Sequence, residues 1–304
     1  MKISAGICKV ADAYGYEKAF EMAAKAGFDC VDISLADMSV DENCIYLQPD
    51  WLEQCKKIRA CAESFGLTIN QTHAPIKQNH AQWQEGEKDK VIARMGRAVL
   101  VSGALGARNV VVHPLQYWNY LNTDPKEMLQ TNLEYYGAMI PYAQQAGVKI
   151  AIENMWQNHK YNKNITLSIC SSPYEHREYV DACNAMAPVF TACLDVGHCV
   201  LTGHDPAKSI AVLGERLQAL HIHDVDGIED SHTCPLTLNV DFESIMEALR
   251  KVNYPGEFNL ETTKYFTKFA AKHYDVALRN LLTVCKIITE QENRYCLRQH
   301  PIGQ

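Results

Sequence analysis

Eight short apolar runs alternate along the chain with longer stretches whose apolar positions recur every three to four residues. The short runs are ISAGIC (3–8), CVDISL (30–35), LTINQTH (67–73), NVVVH (109–113), VKIAIE (148–153), VFTACLD (189–195), LQALHIH (217–223) and GEFNLE (256–261). Their length and their Val and Ile content predict buried strands. The stretches between them predict amphipathic helices over 16–27, 49–66, 88–106, 124–147, 172–187, 205–215, 241–253 and about 265–290. Some helix ends are readable. Gly27 stands where a helix stops, and Asp124 followed by Pro125 supplies an N-cap and a first turn.

Strand–helix alternation predicts parallel βαβ units. Eight such units predict a closed α/β fold, a (β/α)8 TIM barrel in a single domain. No GxGxxG follows the first run, so an open dinucleotide-binding sheet is disfavoured. The barrel is assigned to residues 1–290, and 291–304 to a C-terminal tail without chemistry of its own. Two connections after strands are long, 154–171 and 224–240, and long loops on one barrel face cover an active site.

Composition narrows the function classes. Hydrophobic residues make up 47% and charged residues 21%, as in ordinary globular proteins. The net charge is −7 and Lys and Arg are scattered, which argues against a nucleic-acid partner. No apolar run approaches the roughly 20 residues of a membrane span. The 12 cysteines form no CxxC pair, and no apolar leader opens the chain. Reduced, mostly buried thiols in a cytoplasmic protein are the expectation.

The chemistry sits at the C-terminal ends of the runs: His73, His113, Glu153, Asp195 with His198, His221, and Glu261. In a (β/α)8 barrel these ends converge on one mouth, where active sites are found. Any one of them could simply mark where a strand meets solvent. Six runs ending only in His, Asp or Glu favour a metal site. Carboxylates and imidazoles without thiolates suit Mn, Co, Mg or Zn. Cys193 shares the parity of Asp195 but reads as core.

The motifs IEN, CLDVGH, LHIHD and LET, in this order on the last four runs, resemble the xylose isomerase-like TIM barrel superfamily. This superfamily holds sugar and sugar-phosphate isomerases and epimerases and is related to endonuclease IV. The resemblance covers nearly the whole chain. It implies one divalent metal, manganese preferred, held by Glu153, Asp195, His221 and Glu261. His221 is preferred over His223 because it takes the ligand position of the family's H-x-[KNG]-[DE] turn. The implied activity is isomerisation or epimerisation of a sugar, sugar phosphate or keto sugar. Glu153 and Glu261 would be both ligands and acid/base, moving a proton through a metal-stabilised enediolate. Substrate contacts are expected from His73, His113, His198, His223, Trp156 and His159. Two positions depart from the ketose 3-epimerases: Gly227 stands where they carry Arg, and His159 where they carry Glu.

Three alternatives accompany this reading. A keto-sugar lyase or dehydratase would begin with the same proton abstraction. An endonuclease IV-like nuclease would hold three zincs with His73, His113, Glu153, Asp195, His198, His221, Asp230, His232 and Glu261. Against it, TCPLTLNV replaces the expected Gly-rich segment. A catalytically dead carbohydrate-binding barrel would have no use for both Glu153 and Glu261. A second metal, if present, is expected at His198, Asp230 and His232. Asp224, Asp226 and Glu229 are expected in a solvated turn around Gly227, although Asp224 could orient a ligand His. Tyr117, Trp118, Tyr120 and Tyr161 suit either a sugar wall or a homo-oligomer contact. His80, His176, His204, His273 and His300 read as ordinary surface or packing residues.

Overall fold

The structure, a computed structural model, describes residues 1–76 and 86–290. The tail assigned to 291–304, together with His80 and His300, lies outside the described residues. The strands are β1 (Ile3–Gly6), β2 (Cys30–Ser34), β3 (Thr68–His73), β4 (Asn109–Val112), β5 (Lys149–Glu153), β6 (Trp156–Asn158), β7 (Ile165–Leu167), β8 (Phe190–Asp195), β9 (Leu217–His221) and β10 (Phe258–Leu260). Eight of them form one parallel sheet in the order β10-β1-β2-β3-β4-β5-β8-β9. A parallel bridge between Ile222 and Leu260 joins its two edges. There the Ile222 N–H donates to the Asn259 carbonyl at 2.8 Å and the Glu261 N–H to the Ile222 carbonyl at 3.0 Å. The predicted barrel is therefore present.

Around it run α1 (Cys8–Tyr14), α2 (Tyr16–Ala26), α3 (Trp51–Ser64), α4 (Glu87–Leu105), α5 (Pro125–Gly137), α6 (Ile140–Ala146), α7 (Pro173–Met186), α8 (Val196–Leu201), α9 (Pro206–Leu213), α10 (Phe242–Lys251), α11 (Thr263–Phe266) and α12 (Tyr274–Thr289). No helix among the described residues is long and apolar enough to cross a membrane.

Strand parity explains how the barrel presents chemistry at one end. Side chains alternate between the two faces of a strand. Val110, Val112, Ile150, Ile152, Leu194 and Leu220 belong to the large core against the helices. Val111, Ala151, Cys193 and Ala219 form a separate small cluster inside the barrel. Two residues beyond these four stand His113, Glu153, Asp195 and His221. The inward parity thus runs from a plug of small side chains directly to the mouth, and Cys193 is core as expected. Asp32 lies on the same interior, where its Oδ2 accepts from Gln71 Nε2 at 2.8 Å and Asn259 Nδ2 at 3.0 Å.

Four departures have physical reasons. The first strand stops at Gly6, where an added Cβ would sit 2.9 Å from the Leu260 carbonyl oxygen, and α1 begins two residues later. The helix expected over 124–147 is two helices, because Pro141 has no N–H and its ring clashes with the carbonyl four residues back. The connection 154–171 is not all loop. Thr166 and Ile165, favourable in strands, pair with Gln157 and Asn158 in an antiparallel hairpin. In the connection 224–240, Asp224 is wholly buried rather than solvated. Its carboxylate accepts backbone N–H groups from Val225, Thr237, Leu238 and Val240 at 2.9–3.0 Å. It organises the loop and orients no ligand histidine.

Candidate metal centre

The strand ends deliver their side chains to one cavity of about 400 Å³. His221 Nδ1 lies 2.8 Å from Glu153 Oε1, 3.3 Å from Glu261 Oε2 and 4.0 Å from Asp195 Oδ2. One ligand atom from each of Glu153, Asp195, His221 and Glu261 falls within 4.8 Å of the others. A cation about 2.1 Å from each donor sets donor–donor edges of about 3.0–3.4 Å. The His221–Glu261 separation of 3.3 Å falls in that range, with His221–Glu153 at 2.8 Å just below it and His221–Asp195 at 4.0 Å above it.

Hydrogen bonding supports the fit. Glu153 Oε2, Glu261 Oε2 and Asp230 Oδ1 are buried without a hydrogen-bond partner among the described residues. His113 Nε2 approaches Glu153 Oε2 to 2.9 Å without the angle of a hydrogen bond. Carboxylate oxygens left without donors in a cluster of imidazoles suit cation binding. Unpaired buried carboxylate oxygens are otherwise costly.

His73 joins this group. Its Nδ1–H donates to the Ala74 carbonyl at 2.8 Å, which turns Nε2 inward. That Nε2 is 3.1 Å from His113 Nε2 and 3.4 Å from Glu153 Oε2. Glu153 therefore stands between two groups, one with His73 and His113, the other with Asp195, His221 and Glu261.

A further cluster adjoins these. His198, Asp230 and His232 also bring ligand atoms within 4.8 Å of one another. His232 Nε2 is 2.8 Å from Asp230 Oδ2, and His232 Nδ1–H donates to the Glu261 carbonyl at 3.0 Å. His232 has φ +39°, in the left-handed region that a histidine enters at a cost. The loop bears strain to hold this ring. The pair that sequence left between a second ion and a simple hydrogen bond has both features: a 2.8 Å contact, and His198 Nε2 within 4.0 Å of Asp230.

Electrostatics couple the clusters. Burial works against ionised Glu153, yet His221 and His113 outweigh it and hold the carboxyl well below its usual range. Burial likewise opposes Asp195, and His198 and His223 overcome it. Burial opposes protonation of His232, but Glu261 and Asp230 push it up to about 10. Against burial, neighbouring acidic groups favour protons on His73, His198, His221 and His232, whereas burial disfavours one on His113. A bound cation would replace them, so metal uptake releases protons.

The remaining site residues fall in different places. His73, His113, His198 and Trp156 line the cavity. His223 does not; its ring is wholly buried, with Nε2 3.0 Å from Asp195 and a ligand atom within 4.8 Å of His232 and Glu261. His159 does not either, because the hairpin carries it into the turn, where its Nδ1 faces the Asn162 N–H. Sequence reasoning passed over Asn154, although it lies in the IEN motif. Its Oδ1 accepts the Asp195 N–H at 2.7 Å and its Nδ2 donates to the Asp195 carbonyl at 2.9 Å. Its own carbonyl accepts His198 Nδ1–H at 2.8 Å, turning His198 Nε2 toward the clusters. Cys8, Asp32, Ser34, Gln116 and Gln157 also line the cavity unanticipated. Parity could have found Asp32 and Ser34.

A family profile described as xylose isomerase-like TIM barrel matches residues 20–279. The chain belongs to this family. Among its relatives, an L-ribulose 3-epimerase of a Methylomonas species is 27% identical over 280 residues, 90% of this chain and 85% of that protein. Among solved structures, a D-tagatose 3-epimerase-like protein superposes with TM-score 0.72 at 22% identity, over 95% of this chain and 99% of that one. The IOLI protein, crystallised with a binding zinc atom, superposes with TM-score 0.71 at 17% identity, over 95% of this chain and 98% of that one.

Proposed function

We propose that the protein is a divalent-metal-dependent sugar isomerase or epimerase acting on a keto sugar. The observation that carries this reading is the placement of Glu153 and Glu261. They come from β5 and the end of β10, flank His221, and each keeps a buried oxygen without a hydrogen bond at a sugar-sized cavity. The epimerase relative and the epimerase-like structure support it.

A divalent ion held by Glu153, Asp195, His221 and Glu261 would supply Lewis acidity toward a substrate oxygen. Manganese is preferred for an oxygen-rich set; the zinc of the IOLI structure makes zinc the first competitor. Glu261, 24% exposed at its side chain, opens to the cavity and takes a proton from the carbon beside the carbonyl. Glu153, held ionised by His221 and His113, returns a proton to that carbon only after taking one up from solvent in the cavity. Epimerisation needs exchange on two faces, and two carboxylates provide it. Gln116 is fixed by donating Nε2–H to the Trp156 carbonyl at 2.8 Å and to Ser168 Oγ at 2.9 Å. Its Oε1 then faces substrate hydroxyls, while Trp118 and Trp156 offer faces for sugar C–H groups.

The test is incubation with a panel of ketoses and sugar acids in deuterated water. Deuterium should enter at the carbon next to the carbonyl. If no member exchanges, the reading falls. A product that has lost water or been cleaved, with the same exchange, would identify the lyase or dehydratase variant.

One observation favours a second reading, an abasic-site nuclease with three zincs. His73, His113 and Glu153 converge within 3.4 Å of one another, beside the His198–Asp230–His232 cluster. Nine donor side chains in three groups exceed the need of one ion. Three zincs per chain together with incision of an abasic-site duplex would establish this reading. Ketose exchange without incision would remove it.

A further inference from the structure

His223 occupies the position where the resembling turn carries Lys, Asn or Gly, and nothing in the proposed chemistry uses it. Its ring is wholly buried and does not line the cavity. Its Nε2 is 3.0 Å from both oxygens of Asp195. Asp195 Oδ1 also accepts the His198 N–H at 2.7 Å. His223 Nε2 therefore holds both carboxylate oxygens of Asp195, and Oδ2 also faces His221 Nδ1 and His198 Nε2, at 4.0 and 3.7 Å.

The ring fits only because residue 197 is glycine. A Cβ there would stand 2.2 Å from His223 Cε1 and 2.7 Å from Nε2. Gly197 has no left-handed φ, so the demand is for space and not for backbone freedom. On its other side the His223 ring stacks on His232, centroids 4.3 Å apart and planes 12° apart. The ring is thus wedged between Gly197 and His232.

We propose that His223 is a positioning residue for the metal centre: its Nε2 holds both oxygens of Asp195 and so fixes the orientation in which the carboxylate meets the cation, and Gly197 supplies the space that admits it. The proposal rests on the metal reading of the Glu153, Asp195, His221 and Glu261 set. Partners behind a metal ligand fix its orientation, and their loss typically weakens metal affinity 10–100-fold.

The test is calorimetric titration of the chelator-stripped full-length protein with Mn²⁺ and with Zn²⁺, with metal stoichiometry from elemental analysis and melting followed in chelator. His223→Ala should weaken binding 10–100-fold with the number of sites unchanged. His223→Gln, whose amide N–H can reach Asp195, should bring affinity back to within a few-fold of the original. Gly197→Ala should weaken binding as His223→Ala does, although it leaves every ligand and His223 itself in the sequence. If His223→Ala fails to fold, the other two variants decide. Unchanged affinity in the folded His223→Ala or in Gly197→Ala overturns the proposal. Loss of a whole metal equivalent, with the remaining affinity intact, also overturns it by making His223 a ligand. A wild-type chain that binds neither ion defeats the metal reading itself, which is a different result.

Discussion

The site has two halves built in different ways. Glu153, Asp195 and His221 stand on strand ends and are almost wholly buried, whereas Asp230 and His232 arrive on an irregular loop and keep 13–14% of their side chains exposed. The strand half needs no backbone strain: its residues follow an inner plug of Val111, Ala151, Cys193 and Ala219 by simple alternation. The loop half depends on Asp224 gathering four N–H groups and on the positive φ of His232. A rigid strand end suits chemistry that must not move. A loop held by one buried carboxylate can change its residues without disturbing the barrel.

The sharpest way to break this comparison is to disable one member of each half. Glu261→Gln removes the proposed proton carrier of the strand half and should lower kcat by about 10²–10⁴-fold, with melting temperature nearly unchanged. Asp230→Asn should cost much less in sugar turnover if one ion serves the reaction. Steady-state kinetics on the deuterium-exchanging sugar measures both. Equal losses would mean that the loop half belongs to the same reacting centre.

How much of this was legible follows from the same contrast. Asp195, His221 and Glu261 were readable because strand parity fixes direction once the barrel is inferred. His223 obeys the parity too, yet its role was not readable, because wedging between Gly197 and His232 depends on three-dimensional packing. His159 does not line the cavity because the path of a hairpin is set by pairing that the run NMWQNHKYNKNITL does not advertise. Asp224 looked like part of a solvated acidic turn, since sequence shows charge density but not which N–H groups curl back to meet it. Pro141 was a visible signal for a helix break.

The next largest effect concerns the brace behind the strand half. His176, on α7, is fully buried and donates Nε2–H to the Ile152 carbonyl at 2.8 Å, beside Glu153. Burial lowers its pKa from 6.5 to about 4. The folded ring is therefore neutral while the unfolded ring gains a proton below pH 6.5. Stability is full above that pH, falls between 6.5 and 4, and loses no more below, a total of about 3 kcal/mol. Urea unfolding of wild type and His176→Gln across this range should show a shallower fall in the variant. Parallel curves would place the acid sensitivity elsewhere, in the metal clusters.

The smallest effects divide the hairpin that covers the site. Trp156 lines the cavity, and its ring centroid is 6.3 Å from that of His198. An aromatic contact contributes about 0.5–1.5 kcal/mol beyond area, so Trp156→Ala should raise KM by about 2–10-fold and change kcat less. Tyr161 sits at the tip, 81% exposed, with His159 5.8 Å away by ring centroid and Lys160 over its face. Tyr161→Ala should leave stability within about 0.5 kcal/mol, as surface substitutions do, and leave KM unchanged. A KM rise matching that of Trp156→Ala would mean that the hairpin folds inward over bound substrate. The β6–β7 hairpin, and not only the loop of Asp230 and His232, would then be an adjustable part set against the rigid strand ends.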